Sequence, residues 1–115
     1  MTMKPVFLSP IFLSSLCVFS HAADTAFFDS KVLPILQKRC FECHSHGTKI
    51  KGGLALDSRS GWAEGGDNGP AIKPGELEAS LLIKAVHYVD AEFEMPPKAK
   101  LPAAEIATLE EWVKT

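Results

Sequence analysis

The stretch that decides the fold is residues 39–46, "RCFECHSH". Cys40 and Cys43 are three positions apart, and His44 directly follows the second of them. Four kinds of site use closely spaced cysteines: a zinc centre, a redox-active dithiol, a structural disulfide and the attachment point of a covalently held haem. The residues around this motif distinguish between the four.

Three of these alternatives fit the motif poorly. Structural zinc sites usually take their four ligands from two separated pairs, whereas Cys40, Cys43, His44 and His46 crowd four donors into one short run without a second cysteine pair. A thioredoxin-type dithiol follows a strand in a βαβ unit, but this motif follows an amphipathic helical pattern. A disulfide across so short a loop would add little stability.

Haem attachment uses every residue of the motif. Each cysteine can add its sulfur to one vinyl group of the porphyrin, and the spacing places both sulfurs along one porphyrin edge. His44 then comes under the iron as the proximal ligand. The motif therefore predicts one covalently bound haem c per chain, with its iron, held through Cys40, Cys43 and His44.

The ligand on the other side of the iron decides the function, because a haem with two protein ligands mainly transfers electrons and a haem with one binds small molecules. Met95 is favoured, since the two prolines after it end helical structure and push it towards an extended backbone. His87 is the alternative, although its position at the border of an apolar helix face predicts a surface residue. His46 is too near His44 to reach the opposite face of the same haem.

The first 22 residues have the layout of a secretory signal peptide. Lys4 precedes an uncharged stretch from Val6 to Phe19, and residues 20–22 have small side chains at their first and third places. That stretch is short for a membrane-spanning helix, so an uncleaved anchor is the weaker alternative. We therefore expect a signal peptide over residues 1–22, cleavage after Ala22, a mature domain over residues 23–115 and a periplasmic or otherwise exported protein.

The composition limits the possible functions. The chain has 115 residues, enough for one small domain, and a formal charge of −2, which argues against nucleic-acid binding. Cleavage after Ala22 leaves Cys40 and Cys43 as the cysteines of the mature domain. Free thiols tend to oxidise outside the cytoplasm, so these two side chains need a partner such as a haem.

The spacing of apolar residues predicts an all-α fold. The three expected helices cover residues 26–38, 76–88 and 102–114. Pro34 is expected to bend the first helix, and Pro102 suits the first turn of the last. The glycine- and proline-rich residues 61–75 are expected to form a loop. The first and last helices can pack across each other and close a haem pocket.

Four stretches of the chain match a known pattern: "FFDSKVLPILQKRCFECHS", "KGGLALDSR", "GGDNGPAIKPGELEASLLIKAV" and "EMPPKAKLPAAEIATLEEWV". Together they make the chain resemble class I c-type cytochromes and, more closely, planctomycete-type cytochrome c domains. The resemblance implies a cytochrome c domain over residues 23–115, with about three main helices wrapped around a haem. It assigns Cys40 and Cys43 to haem attachment, His44 to the proximal ligand and Met95 to the distal ligand.

These assignments predict an electron carrier that does no bond chemistry and is not an enzyme. Its partner would be another redox protein, and Glu92, Glu94, Glu110 and Glu111 are candidates for steering it, although a solvated acidic surface is the preferred explanation of these charges. The protein is expected to be soluble or peripherally associated with a membrane. The alternative is a haem-based sensor or peroxidase-like protein with an open distal site, which requires that Met95 does not bind the iron.

Overall fold

The computed structural model describes residues 2–12 and 22–115. Its α-helices are α1 (Ala22–Phe27), α2 (Leu33–Arg39), α3 (Arg59–Glu64), α4 (Leu81–Val86) and α5 (Ala103–Lys114). A π-helical turn covers Phe28–Val32, and 3-10 turns cover Lys51–Gly53 and Ala91–Phe93. Within the described residues β structure is limited to two isolated bridges. The all-α prediction is confirmed for this part of the chain.

The first helical region is continuous from α1 through the π turn to α2. The Leu33 N–H donates to the Phe28 carbonyl, five residues back, where a regular helix would reach four residues back. Pro34 follows directly. In a regular helix its ring would clash with the Ser30 carbonyl, and it has no N–H to donate. The predicted disturbance at Pro34 therefore takes the form of a π turn.

The second helix was predicted to begin at Glu76, but α4 begins at Leu81, five residues later. The fully buried Ser80 hydroxyl explains the difference: it accepts a hydrogen bond from the Lys73 N–H at 3.0 Å and donates to the Glu76 carbonyl at 2.8 Å. Serine competes with helical backbone bonding in this way. Residues 73–80 consequently form a loop closed on Ser80, while the last helix, α5, agrees with its prediction to within one residue.

Helix α3 lies in the stretch that was predicted to be loop, so that prediction is wrong for residues 61–64. Ser58 caps the helix by accepting a hydrogen bond from the Gly61 N–H at 3.0 Å. The helix ends at Glu64, and the next residue, Gly65, has a φ of +76°. A Cβ at Gly65 would lie 1.8 Å from the Gly69 carbonyl oxygen, so two backbone segments cross there at a distance that only glycine permits.

The core lies between the first helical region and α5, with α4 packed on its side. Its fully buried side chains come from both regions: Val32, Leu36, Leu109 and Val113. Trp112 of α5 extends this contact, because its ring lies 5.3 Å from that of Phe28 and 5.3 Å from that of Trp62. The expected packing of the first and last helices against each other is confirmed.

The N-terminal residues 2–12 have no regular secondary structure, and their large apolar side chains are exposed, as at Phe7 and Phe12. Residues 1 and 13–21, which hold half of the predicted signal peptide's apolar stretch, lie outside the described residues. The signal peptide therefore stays a prediction. Among the helices of the described residues, none combines the length and the apolar character needed to cross a membrane.

Candidate functional site

The cysteine motif forms a tight turn at the end of α2. Cys40 caps the helix, with its N–H donating to the Leu36 carbonyl. The N–H groups of Cys43 and His44 then both donate to the Cys40 carbonyl, at 3.2 and 3.0 Å. Both cysteines are half-buried and are not joined in a disulfide. The backbone therefore places Cys40, Cys43 and His44 in one turn.

His44 is held in a single tautomer by the loop behind it. Its Nδ1 lies 3.1 Å from the Leu54 carbonyl oxygen. A carbonyl can only accept, so in the neutral ring Nδ1 bears the hydrogen and Nε2 keeps a free lone pair. A metal-binding histidine is usually oriented in this way by a backbone carbonyl or a carboxylate. His44 is thus prepared to ligate through Nε2.

The same loop also fixes the backbone of the motif. The Lys51 N–H donates to the Cys43 carbonyl at 2.8 Å, and the Leu56 N–H donates to the His44 carbonyl at 2.8 Å. We call residues 51–56 the backing loop. Together with the His44 ring, it gives the motif three long-range hydrogen bonds that do not depend on any cofactor.

The Cys40 sulfur lies in surroundings that favour a neutral form. Burial raises the pKa of the Cys40 thiol to about 11, with smaller opposing effects from the Arg39 guanidinium, which lowers it, and Glu105, which raises it. Arg39 and Glu105 form a bidentate pair, at 3.2 Å from Nε and 2.9 Å from the terminal nitrogen. The burial that raises this pKa is compatible with a neutral thioether at the same position.

His46 takes no part in a metal cluster with the motif. Its ring Nδ1 lies 2.7 Å from Asp57 Oδ1, and its backbone N–H donates to Asp57 Oδ2 at 2.9 Å. These bonds, chiefly the backbone one, hold the pKa of Asp57 below its usual value. In residues 2–12 and 22–115, no three His, Cys, Asp or Glu side chains gather as a metal-binding group. The zinc interpretation of the motif therefore lacks support.

Met95 is held on a different element from the cysteine motif. Its N–H donates to the Ala85 carbonyl at 3.1 Å, which ties it to the end of α4. The next residue, Pro96, is joined to it by a cis peptide bond and accepts a hydrogen bond from the Tyr88 hydroxyl at its carbonyl. The Met95 side chain is 37% exposed, so neighbouring side chains do not enclose it.

His87 is a surface residue, as its position predicted. It is exposed, and its Nε2 pairs with Glu110 Oε1, which links the end of α4 to α5. The nitrogen that would bind an iron is therefore already occupied by a carboxylate. This arrangement favours Met95 over His87 as the sixth ligand.

Two contributors to the site were not predicted from the sequence. Leu54 acts through its backbone carbonyl, which no residue type reveals. Tyr88 acts through a hydroxyl that reaches a carbonyl eight residues along the chain. The available signal was a tyrosine directly after a helix. The sequence does not show which backbone group its hydroxyl contacts, because that depends on where the loop around Pro96 lies.

Comparison with known proteins identifies the motif. Residues 40–99 match the family model described as planctomycete cytochrome C. This segment begins at Cys40 and contains Cys43, His44 and Met95 as well. No curated protein and no solved structure matches the chain.

Proposed function

Because the chain belongs to the planctomycete cytochrome C family, we propose that it is an exported c-type cytochrome that transfers single electrons through one covalently bound haem. Cys40 and Cys43 hold the porphyrin through two thioether bonds. His44 and Met95 would supply the two protein ligands of the iron. In this proposal the helical core packs around the haem, and the chain itself makes or breaks no substrate bond.

The observation that carries this proposal is the hydrogen bond between His44 Nδ1 and the Leu54 carbonyl oxygen, at 3.1 Å. It leaves Nε2 as the free nitrogen and fixes the orientation of the ring. Coming directly after two free, half-buried cysteines, this ring has the chemistry of a proximal haem ligand.

The cysteines supply the covalent attachment. Each thiol adds across one vinyl double bond, so that sulfur bonds to the carbon next to the ring and the thiol hydrogen ends on the terminal carbon. No oxidant is consumed in this addition. Since burial raises the pKa of the Cys40 thiol to about 11, conversion to a thioether removes a titratable group from a site that disfavours charge.

Ligation by Met95 determines the redox properties of the bound haem in this proposal. The haem supplies a reversible one-electron couple of its iron, and methionine opposite histidine raises the potential of that couple. The backbone of Met95 is fixed on α4, while its side chain is 37% exposed. We propose that the thioether sulfur takes the sixth position, which leaves no open site for a substrate.

Electron exchange needs a second redox protein, and we propose one with a basic docking surface. Glu92 and Glu111 are exposed acidic residues that suit it, whereas Glu110 is already paired with His87. Such charges raise association rates more than affinity, so the exchange should slow as ionic strength rises.

The test is an optical spectrum of the exported protein, produced in a host able to attach haem c, in its oxidised and reduced forms. We expect sharp reduced bands and, in the oxidised form, the weak long-wavelength band of sulfur-to-iron ligation. Met95→Ala should remove that band and lower the midpoint potential. His87→Ala is the matched control and should leave both unchanged. Persistence of the band in Met95→Ala, or its absence from the wild type together with a changed spectrum in His87→Ala, would contradict the proposed ligation.

The partial exposure of the Met95 side chain also favours a second candidate, a haem-based sensor or peroxidase-like protein. In that case the sixth position would be open or weakly held. The wild-type reduced protein would then bind carbon monoxide readily, and the oxidised protein would lack the sulfur-to-iron band. The same spectra therefore separate the two candidates.

A further inference from the structure

Tyr88 has an unusual backbone. Among residues 2–12 and 22–115 it is the one non-glycine residue with a positive φ, at +58°. It directly follows His87, the C-cap residue of α4, at the position where a helix usually ends in glycine or asparagine. A bulky side chain is disfavoured in this left-handed conformation, so the residue is held there at a cost to the fold.

The tyrosine side chain makes a contact that glycine or asparagine could not make. Its half-buried ring carries a hydroxyl that donates to the Pro96 carbonyl. On the neighbouring residue, the Met95 N–H donates to the Ala85 carbonyl at 3.1 Å. The end of α4 thus holds two consecutive loop residues: Met95 through its backbone N–H and Pro96 through its backbone carbonyl.

The loop has few other means of being held. Pro96 and Pro97 have no N–H to donate, so Met95 is followed by two residues without a backbone donor. The 37% exposure of Met95 also means that packing alone does not fix it. We call residues 95–97 the ligand loop. The Pro96 carbonyl is therefore the nearest backbone group beyond Met95 that can hold this loop.

We propose that Tyr88 is a positioning residue that keeps Met95 in place as the sixth ligand. The inference rests on the proposed His44 and Met95 ligation. Tyr88 itself does not touch the iron; its hydroxyl restrains the Pro96 carbonyl and through it the Met95 backbone. Removing the hydroxyl should let Met95 leave the iron more often and open the site to external ligands.

The variant Tyr88→Phe tests the proposal in the haem-loaded protein, because it keeps the ring and removes only the donor. One net hydrogen bond shifts an equilibrium by about five- to ten-fold, so we expect the apparent affinity of the reduced protein for carbon monoxide to rise by about that factor. The sulfur-to-iron band of the oxidised protein should weaken correspondingly. A tyrosine that only packed would change the thermal midpoint and leave both ligand readouts unchanged.

Tyr88→Asn provides a second variant that does not depend on the fold tolerating phenylalanine. Asparagine accepts the left-handed backbone more readily, so the fold loses its strain while the ligand loop still loses its bond. We expect the same increase in carbon monoxide affinity. Wild-type affinity and a wild-type band in both variants would overturn the inference. Absence of the band from the wild type would instead refute the proposed ligation, and the inference with it.

Discussion

The two halves of the proposed haem site are held in different ways. The attachment half, residues 40–44, is a turn closed by its own backbone and tied to the backing loop by three hydrogen bonds of 2.8 to 3.1 Å. The ligand half, Met95 and Pro96, is tied by one backbone bond to Ala85 and one side-chain bond from Tyr88.

This difference between the two halves shows which properties the chain has before any haem is bound. In the attachment half, hydrogen bonds within the protein set the histidine tautomer and the backbone of both cysteines. The ligand half depends on a short helix end and on one long side chain. Changes in the first half should therefore abolish haem binding, and changes in the second should alter the ligation of a haem that remains attached.

The largest expected effect comes from removing both attachment points. In Cys40→Ala/Cys43→Ala we expect no haem to survive denaturation, because no thioether can form. Haem staining of a denaturing gel measures this directly. Cys17→Ala lies in the predicted signal peptide and is the matched control, which should stain like the wild type. Covalent haem in the double variant would show that the attachment is elsewhere.

A large effect is also expected when the backing loop is displaced. A Cβ at Gly66 would lie 2.3 Å from the Gly52 carbonyl oxygen and 2.9 Å from the Leu54 nitrogen, so Gly66→Ala must displace the backing loop, which holds His44. We expect a loss of about 2–4 kcal/mol in the free energy of unfolding and a lower yield of attached haem.

Gly47→Ala is the control for this change, since a Cβ there meets no atom within 4 Å and Gly47 lies close to the motif in sequence. Denaturant unfolding of both variants gives the two free energies. Equal stabilities would mean that the backing loop does not hold the attachment half.

A smaller effect is expected from the Arg39–Glu105 pair, which ties the end of α2, directly before the attachment half, to the start of α5. Its side chains are 31% and 21% exposed, so solvent screens much of the attraction. A double-mutant cycle with Arg39→Gln and Glu105→Gln should give a coupling of about 0.5–1 kcal/mol. The sulfur-to-iron band should stay unchanged, and a loss of that band would show that the two halves are mechanically linked through α5.

The smallest expected effect is a change in reactivity without a change in fold. In the haem-free Cys43→Ser variant, alkylation of Cys40 should increase with pH around a midpoint of about 11, because burial raises the pKa of this thiol. In denaturant the midpoint should fall to the ordinary value of 9.0. A midpoint near 9 under native conditions would mean that the Cys40 sulfur is not buried before attachment.

The attachment half could be predicted from the sequence because its chemistry is local. Spacing alone identified Cys40, Cys43 and His44 as a unit, and helical periodicity located the first and last helices. The same reasoning placed His87 at the surface. In each case the deciding interactions lie within a few residues of one another.

The remaining features depend on side chains that bond to distant backbone groups. Ser80 delays the start of α4 through bonds to residues 73 and 76, and Ser58 starts a helix inside a glycine-rich stretch. Tyr88 secures the ligand loop from a strained backbone position. Periodicity and residue preferences do not encode such contacts, because each depends on where the loop has already been placed.

The most direct test of the covalent haem site is the intact mass of the exported protein under denaturing conditions. We expect a chain beginning at Ala23 whose mass is increased by that of one haem, since thioether bonds survive denaturation. The mass of the unmodified chain, or of a chain lacking two hydrogens through a Cys40–Cys43 disulfide, would contradict it.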